Sequence, residues 1–137
     1  MIDIERLVDH HCHGIITDTL ERPRLEALMS ESHRPAIPGV TQFDKPLGQV
    51  IRRYCAPILD LEPLASADDY VRRRTELGGE EVASRLMKAT RVAGMLIDTG
   101  HRSDDILGVE AMGALSGGFA HEVVRIESTM EQVARTA

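Results

Sequence analysis

The chain has 137 residues, 42% hydrophobic and 28% charged, which suits one globular domain of ordinary size and excludes a disordered composition. A net charge of −6, with two tyrosines, two phenylalanines and no tryptophan, argues against nucleic acid, which needs a basic stripe for phosphates and ring faces for bases. Two cysteines, Cys12 and Cys55, are too few for a disulfide framework, and no apolar run approaches the roughly 20 residues of a membrane helix.

The N-terminus, Met1-Ile2-Asp3-Ile4-Glu5, lacks the basic start of a signal peptide, so a reducing, cytoplasmic setting is expected. The first predicted element is a strand, Leu7-Val8-Asp9-His10-His11-Cys12-His13, closed by Gly14. A long helical insert over about residues 20–92 follows. Leu25, Leu28 and Met29 have helical spacing, and residues 34–41, with two prolines and a glycine, form a loop. Asp44 is expected to cap the next helix, with Pro46 in its first turn. Phe43, Leu47, Val50, Ile51, Tyr54 and Ile58 fall at offsets 0, 4, 7, 8, 11 and 15, one apolar stripe, and Pro57 ends or kinks that helix.

Ser66 with Asp69 resembles a capping box and predicts a helix to about Leu77, broken by Gly78-Gly79. Val82, Leu86 and Ala89 stripe a further helix whose other face carries Arg85, Lys88 and Arg91. Then the period changes. Met95-Leu96-Ile97-Asp98 reads as a buried strand stopped by Thr99-Gly100. Val109, Met112 and Leu115 suggest a short helix ended by Gly117-Gly118, and Val123-Val124-Arg125-Ile126 a third strand. Ser128, assisted by Glu131, is expected to cap a last helix from Thr129 to Arg135.

Strands alternating with helices mean a parallel sheet with right-handed crossovers. Side chains alternate along a strand, so Asp9, His11 and His13 are expected on one face, with Val8, His10 and Cys12 on the other. The same alternation sets Asp98 with Leu96, and Arg125 with Glu127. Parallel sheets build their sites at the strands' C-terminal ends. His11, His13, Asp98, Arg125 and Glu127 are therefore expected to converge, with His101 in the loop beside them. His-x-His on a strand sets two imidazoles about 6.5–7 Å apart along the chain, able to lean onto one ion. A catalytic zinc usually takes three protein ligands and an open position, and Asp9 is placed to orient one imidazole from behind. Cys12, Cys55 and His10 read as packing residues, and His33 and His121 as surface ones.

The segment Asp9-His10-His11-Cys12-His13 resembles the Asp-x-His-x-His that ends the first barrel strand of the amidohydrolase superfamily. With Arg52-Arg53-Tyr54-Cys55-Ala56-Pro57, Leu96-Ile97-Asp98-Thr99-Gly100 and Val123-Val124-Arg125-Ile126-Glu127, essentially the whole chain is similar to the amidohydrolase-related branch of metal-dependent hydrolases, which also holds decarboxylases and an isomerase. The resemblance implies an α/β fold, part of a (β/α)8 TIM-like barrel with about three parallel strands. It implies His11 and His13 as metal ligands, and a divalent metal, zinc first and manganese or iron as alternatives. The ion would activate water against a carbon–nitrogen or ester bond of a small-molecule substrate. It assigns no role to Asp98, His101, Arg125 or Glu127, which stand as substrate-binding candidates on geometry. The family's later strands carry further ligands that this chain lacks, and a full barrel takes roughly 250 residues. The chain is therefore expected to be the N-terminal portion of such a barrel, inactive alone, and to need an oligomer or a partner chain to complete it.

Two other readings stay open: a decarboxylase or isomerase of the same branch in which Arg125 grips a small carboxylate, and a non-catalytic helical interaction module on a degenerate barrel. Asp9-His10-His11-Cys12 also spells the signature of protein palmitoyltransferases, but those enzymes need a cysteine-rich zinc domain between membrane helices, and neither is present in this sequence.

Overall fold

A computed structural model describes residues 5–32, 34, 37–100 and 105–136. In it β1 (Leu7–Cys12) pairs in parallel with β2 (Val92–Asp98), and β2 pairs in parallel with β3 (Phe119–Val123), giving the order β1-β2-β3. The helices are α1 (Arg22–Leu28), α2 (Pro46–Val50), α3 (Ala67–Leu77), α4 (Gly79–Ala89), α5 (Val109–Ser116) and α6 (Ile126–Thr136). The expected α/β class with a parallel sheet is what the chain forms. Among the described residues no helix is long and apolar enough to cross a membrane.

The chain divides into two compact units. The first joins Met1–Thr17 with Met87–Ala137 and contains the sheet. Its central strand, β2, is the most apolar and the most buried, as a strand flanked on both sides should be. Met95 and Ile97 point from β2 into a core with Met112 of α5, joined by Cys12, Ile15, Val92, Leu107 and Ala120. Cys12 thus packs in the core, its Sγ 3.8 Å from the Leu96 carbonyl. His10 does not pack; it is exposed on β1.

The third strand lies earlier than expected. Gly117 ends α5 in the left-handed region (φ 69°), and Gly118 lies against the Ala93 backbone, where a Cβ would stand 2.3 Å from the carbonyl oxygen. That close approach delivers the chain into the sheet at once, from Phe119. Val123 is the last strand residue, so Ile126 and Glu127 open α6, and Ser128 lies inside that helix rather than at its cap.

The second unit is Asp18–Leu86. Phe43, Ala56, Leu59, Tyr70 and Val82 form its core, with Phe43 and Tyr70 edge to face at 6.0 Å and 65°. Ser66 caps α3 as expected, accepting from the Asp69 N–H at 3.0 Å. Asp44 does not cap α2. It belongs to a 3₁₀ turn, Gln42–Asp44, capped by Thr41, and Lys45 precedes α2 instead. The predicted apolar stripe is buried only in part: Phe43 is fully buried and Ile51 and Ile58 half-buried, but Leu47, Val50 and Tyr54 are 50%, 50% and 62% exposed. Burial falls on Gly48, Ile51, Cys55, Ala56 and Leu59. The reason is local: Gly48 rests directly on the backbone of Gln42 and Phe43, and a π-helical turn, Ile51–Cys55, then advances the face by one residue before Pro57.

Candidate metal centre

The site lies at the C-terminal ends of β1 and β2. Ligand atoms of His11, His13 and Asp98 all fall within 4.8 Å of one another. The two imidazole centroids are 5.5 Å apart with their planes at 80°.

Plain alternation makes this possible. Cys12 pairs with Ile97 and packs with it on the core, so His11 and His13, one residue to either side, fall on the opposite face, with Asp98. The pairing is irregular between Leu7 and Val8 and, in the opposite sense, between Asp9 and Cys12, so Leu7 with Val92 and Cys12 with Ile97 keep one register.

Asp9 is exposed on β1. Its Oδ1 accepts the His11 backbone N–H at 3.1 Å, not an imidazole N–H. Its charge bears instead on Cys12, whose thiol is pushed up first by burial and then by Asp9.

His13 Nδ1 lies 3.0 Å from the backbone carbonyl of Asp98. A carbonyl only accepts, so Nδ1 is the donor in this contact, and a ligand role falls to Nε2. That is the common arrangement behind a metal-ligating imidazole. Asp98 itself is 2% exposed. Its Oδ2 accepts from Arg125 Nε at 2.8 Å and sits 2.6 Å from Arg125 Nη2, while its Oδ1 accepts the Gly100 N–H at 2.9 Å. The Arg125 guanidinium, then the Gly100 N–H, hold the carboxyl below the usual carboxylate range against the opposing pull of burial. Arg125 is shifted up by the same pair, first through its hydrogen bond to Asp98.

Of the residues expected to converge, His11, His13, Asp98 and Arg125 come together. Arg125 arrives from the link after β3 rather than from a strand, because β3 ends at Val123. Glu127 is not a strand partner of Arg125; it is exposed in the first turn of α6, close enough to add to the upward shift of Arg125. His101 lies outside the described residues. His121 is an exposed residue of β3.

Gly100 donates its N–H to Asp98, so Asp98 caps the Thr99-Gly100 turn, and a Cβ at Gly100 would stand 3.1 Å from Asp98 Oδ1 and 3.5 Å from Arg125 Cδ. The signal for it was the Asp-x-Gly spacing, in which an aspartate bonds the backbone two residues on. Two imidazoles and one carboxylate are a donor set that fits a divalent metal ion.

No protein-family profile and no curated protein matches the sequence. Among solved structures the chain is similar to a Lactobacillus casei protein named for an inferred metal-dependent hydrolase activity, with a TM-score of 0.60 and 22% identity. The likeness covers 96% of this chain and 34% of that one, so this chain spans well under half of its neighbour's length. At that identity the shared property is the fold: a parallel α/β arrangement found within a protein of that description.

Proposed function

We propose that the chain is part of a metal-dependent hydrolase of the amidohydrolase type, in which His11, His13 and Asp98 hold a divalent ion, zinc first. The observation that carries this reading is the approach of the three ligand atoms to within 4.8 Å at the ends of two adjacent parallel strands. The fold neighbour's description and the Asp-x-His-x-His resemblance support it. When bound, such an ion acts as a Lewis acid toward a carbonyl and acidifies water, which suits hydrolysis of a C–N or ester bond in a small molecule.

The chain's own residues do the positioning. His13 is held by its Nδ1–H on the Asp98 carbonyl, so the ring cannot rotate without losing that bond. Asp98 contributes a negative charge fixed by Arg125 and Gly100. The decarboxylase or isomerase alternative needs Arg125 to grip a substrate carboxylate, and its commitment to Asp98 weighs against that. Among the described residues the sheet has three strands, so the outer edges of β1 and β3 have no neighbour. In our reading they receive further strands of a TIM-like barrel, which also bring the remaining site residues.

The test is elemental mass spectrometry of the purified chain beside His11→Ala and His13→Ala. We expect about one zinc or manganese per chain, lost in both variants. No bound ion, or one indifferent to both substitutions, would remove the metal reading.

A further inference from the structure

Among the described residues the two oxygens of Asp98 meet different partners. Oδ2 carries the Arg125 guanidinium, accepting from Nε at 2.8 Å with Nη2 in ion-pair contact at 2.6 Å. Oδ1 accepts one N–H, from Gly100, where a carboxylate oxygen offers two lone-pair directions. The side chain is 2% exposed, so it cannot turn outward to exchange the two oxygens. The clamp is itself held. The Arg125 carbonyl accepts the Thr129 N–H in the first turn of α6, and a Cβ at Gly100 would press on Asp98 Oδ1 at 3.1 Å.

We propose that Arg125 is a positioning residue that restricts Asp98 to ligation through Oδ1 alone, and so tunes the centre toward an ion of low coordination number. The inference rests on the metal reading above. A carboxylate free to use both oxygens raises the coordination number and favours manganese-like ions, which take about six ligands. One held to a single oxygen favours zinc, which takes about four. The planar guanidinium suits this task, because it holds Oδ2 by an Nε hydrogen bond with Nη2 beside it; a lysine ammonium carries the charge without that fixed plane.

The experiment titrates the full chain, Arg125→Met and Arg125→Lys with Co²⁺, reading visible absorption, and with Zn²⁺ and Mn²⁺ by calorimetry. The unsubstituted chain is expected to give the intense bands of low-coordinate cobalt. Arg125→Met should give weaker, higher-coordinate bands and narrow the preference for zinc over manganese by about tenfold or more. Arg125→Lys should follow Arg125→Met, and it carries the same readings if the methionine variant does not fold. Unchanged bands and an unchanged ratio in the variants overturn the inference while leaving the metal centre standing. Wild-type behaviour in Arg125→Lys alone also overturns it, since charge and not the fixed plane would then be what matters. Failure of the unsubstituted chain to bind any of the three ions overturns the metal reading and this inference together.

Discussion

Glu26 shows how a single carboxylate responds to competing terms. Burial pushes it up, but the Arg22 guanidinium at 2.7 Å, the Gln42 N–H at 2.8 Å and the Thr41 hydroxyl outweigh burial and hold it below the ordinary glutamate range. A depressed folded-state value contributes stability that is present above the unfolded-state value, about 4.3, and is lost as pH falls through the folded one. The melting temperature should therefore fall on acidification below about pH 5, and the difference between the native chain and Glu26→Gln should shrink over the same range. A difference independent of pH would show that the bonds to Arg22 and Gln42 do not favour the charged form. Phe43 is the apolar counterpart. It is fully buried, edge to face with Tyr70 and under the Arg22 guanidinium at 5.8 Å. Phe43→Ala should cost about 3–5 kcal/mol, read from denaturant unfolding.

At the level of elements, magnitudes decide between propensity and packing. Replacing glycine by alanine inside a helix ordinarily gains about 1 kcal/mol. At Gly48 a Cβ would stand 2.3 Å from the Gln42 carbonyl oxygen and 2.3 Å from Phe43 Cα, both backbone atoms that cannot swing aside. Overpacking of this kind costs about 1–3 kcal/mol, so Gly48→Ala should destabilise on balance despite its better helix propensity. A more stable Gly48→Ala would mean that α2 does not approach that turn so closely. The start of α3 is simpler: Ser66→Ala removes the bond to the Asp69 N–H and should cost about 1 kcal/mol.

At the scale of the molecule the two units have separate cores. The core of Asp18–Leu86 is drawn wholly from one continuous segment. That segment expressed alone should therefore melt cooperatively, as followed by circular dichroism, and should lose the transition on Phe43→Ala. The sheet unit is assembled from the two ends of the chain: Met95, Ile97 and Met112 lie in Met87–Ala137, but Cys12 and Ile15, which pack against them, come from Met1–Thr17. A segment 18–86 without a cooperative transition would show that its core depends on the sheet unit.

What the sequence determined by itself was whatever short-range chemistry controls. The Ser66 cap, the break at Gly78, the stop at Gly117, the short apolar run of β2 and the parallel alternation were all legible, because each rests on residues within a turn or two of one another. His11, His13 and Asp98 were legible as candidates from strand periodicity alone. Tertiary structure decided the rest. The approach of His11 and His13 to Asp98 exists only in the pairing of β1 with β2, and the bond from His13 to Asp98 spans 85 residues. The buried face of α2 was set by contact with Gln42 and Phe43, and the start of β3 by the approach of Gly118 to Ala93. The seating of the guanidinium on Oδ2, with the Gly100 N–H on Oδ1, depends on where the link after β3 delivers Arg125. Periodicity within a segment says which residues can share a face; only pairing with a distant segment says which face that is.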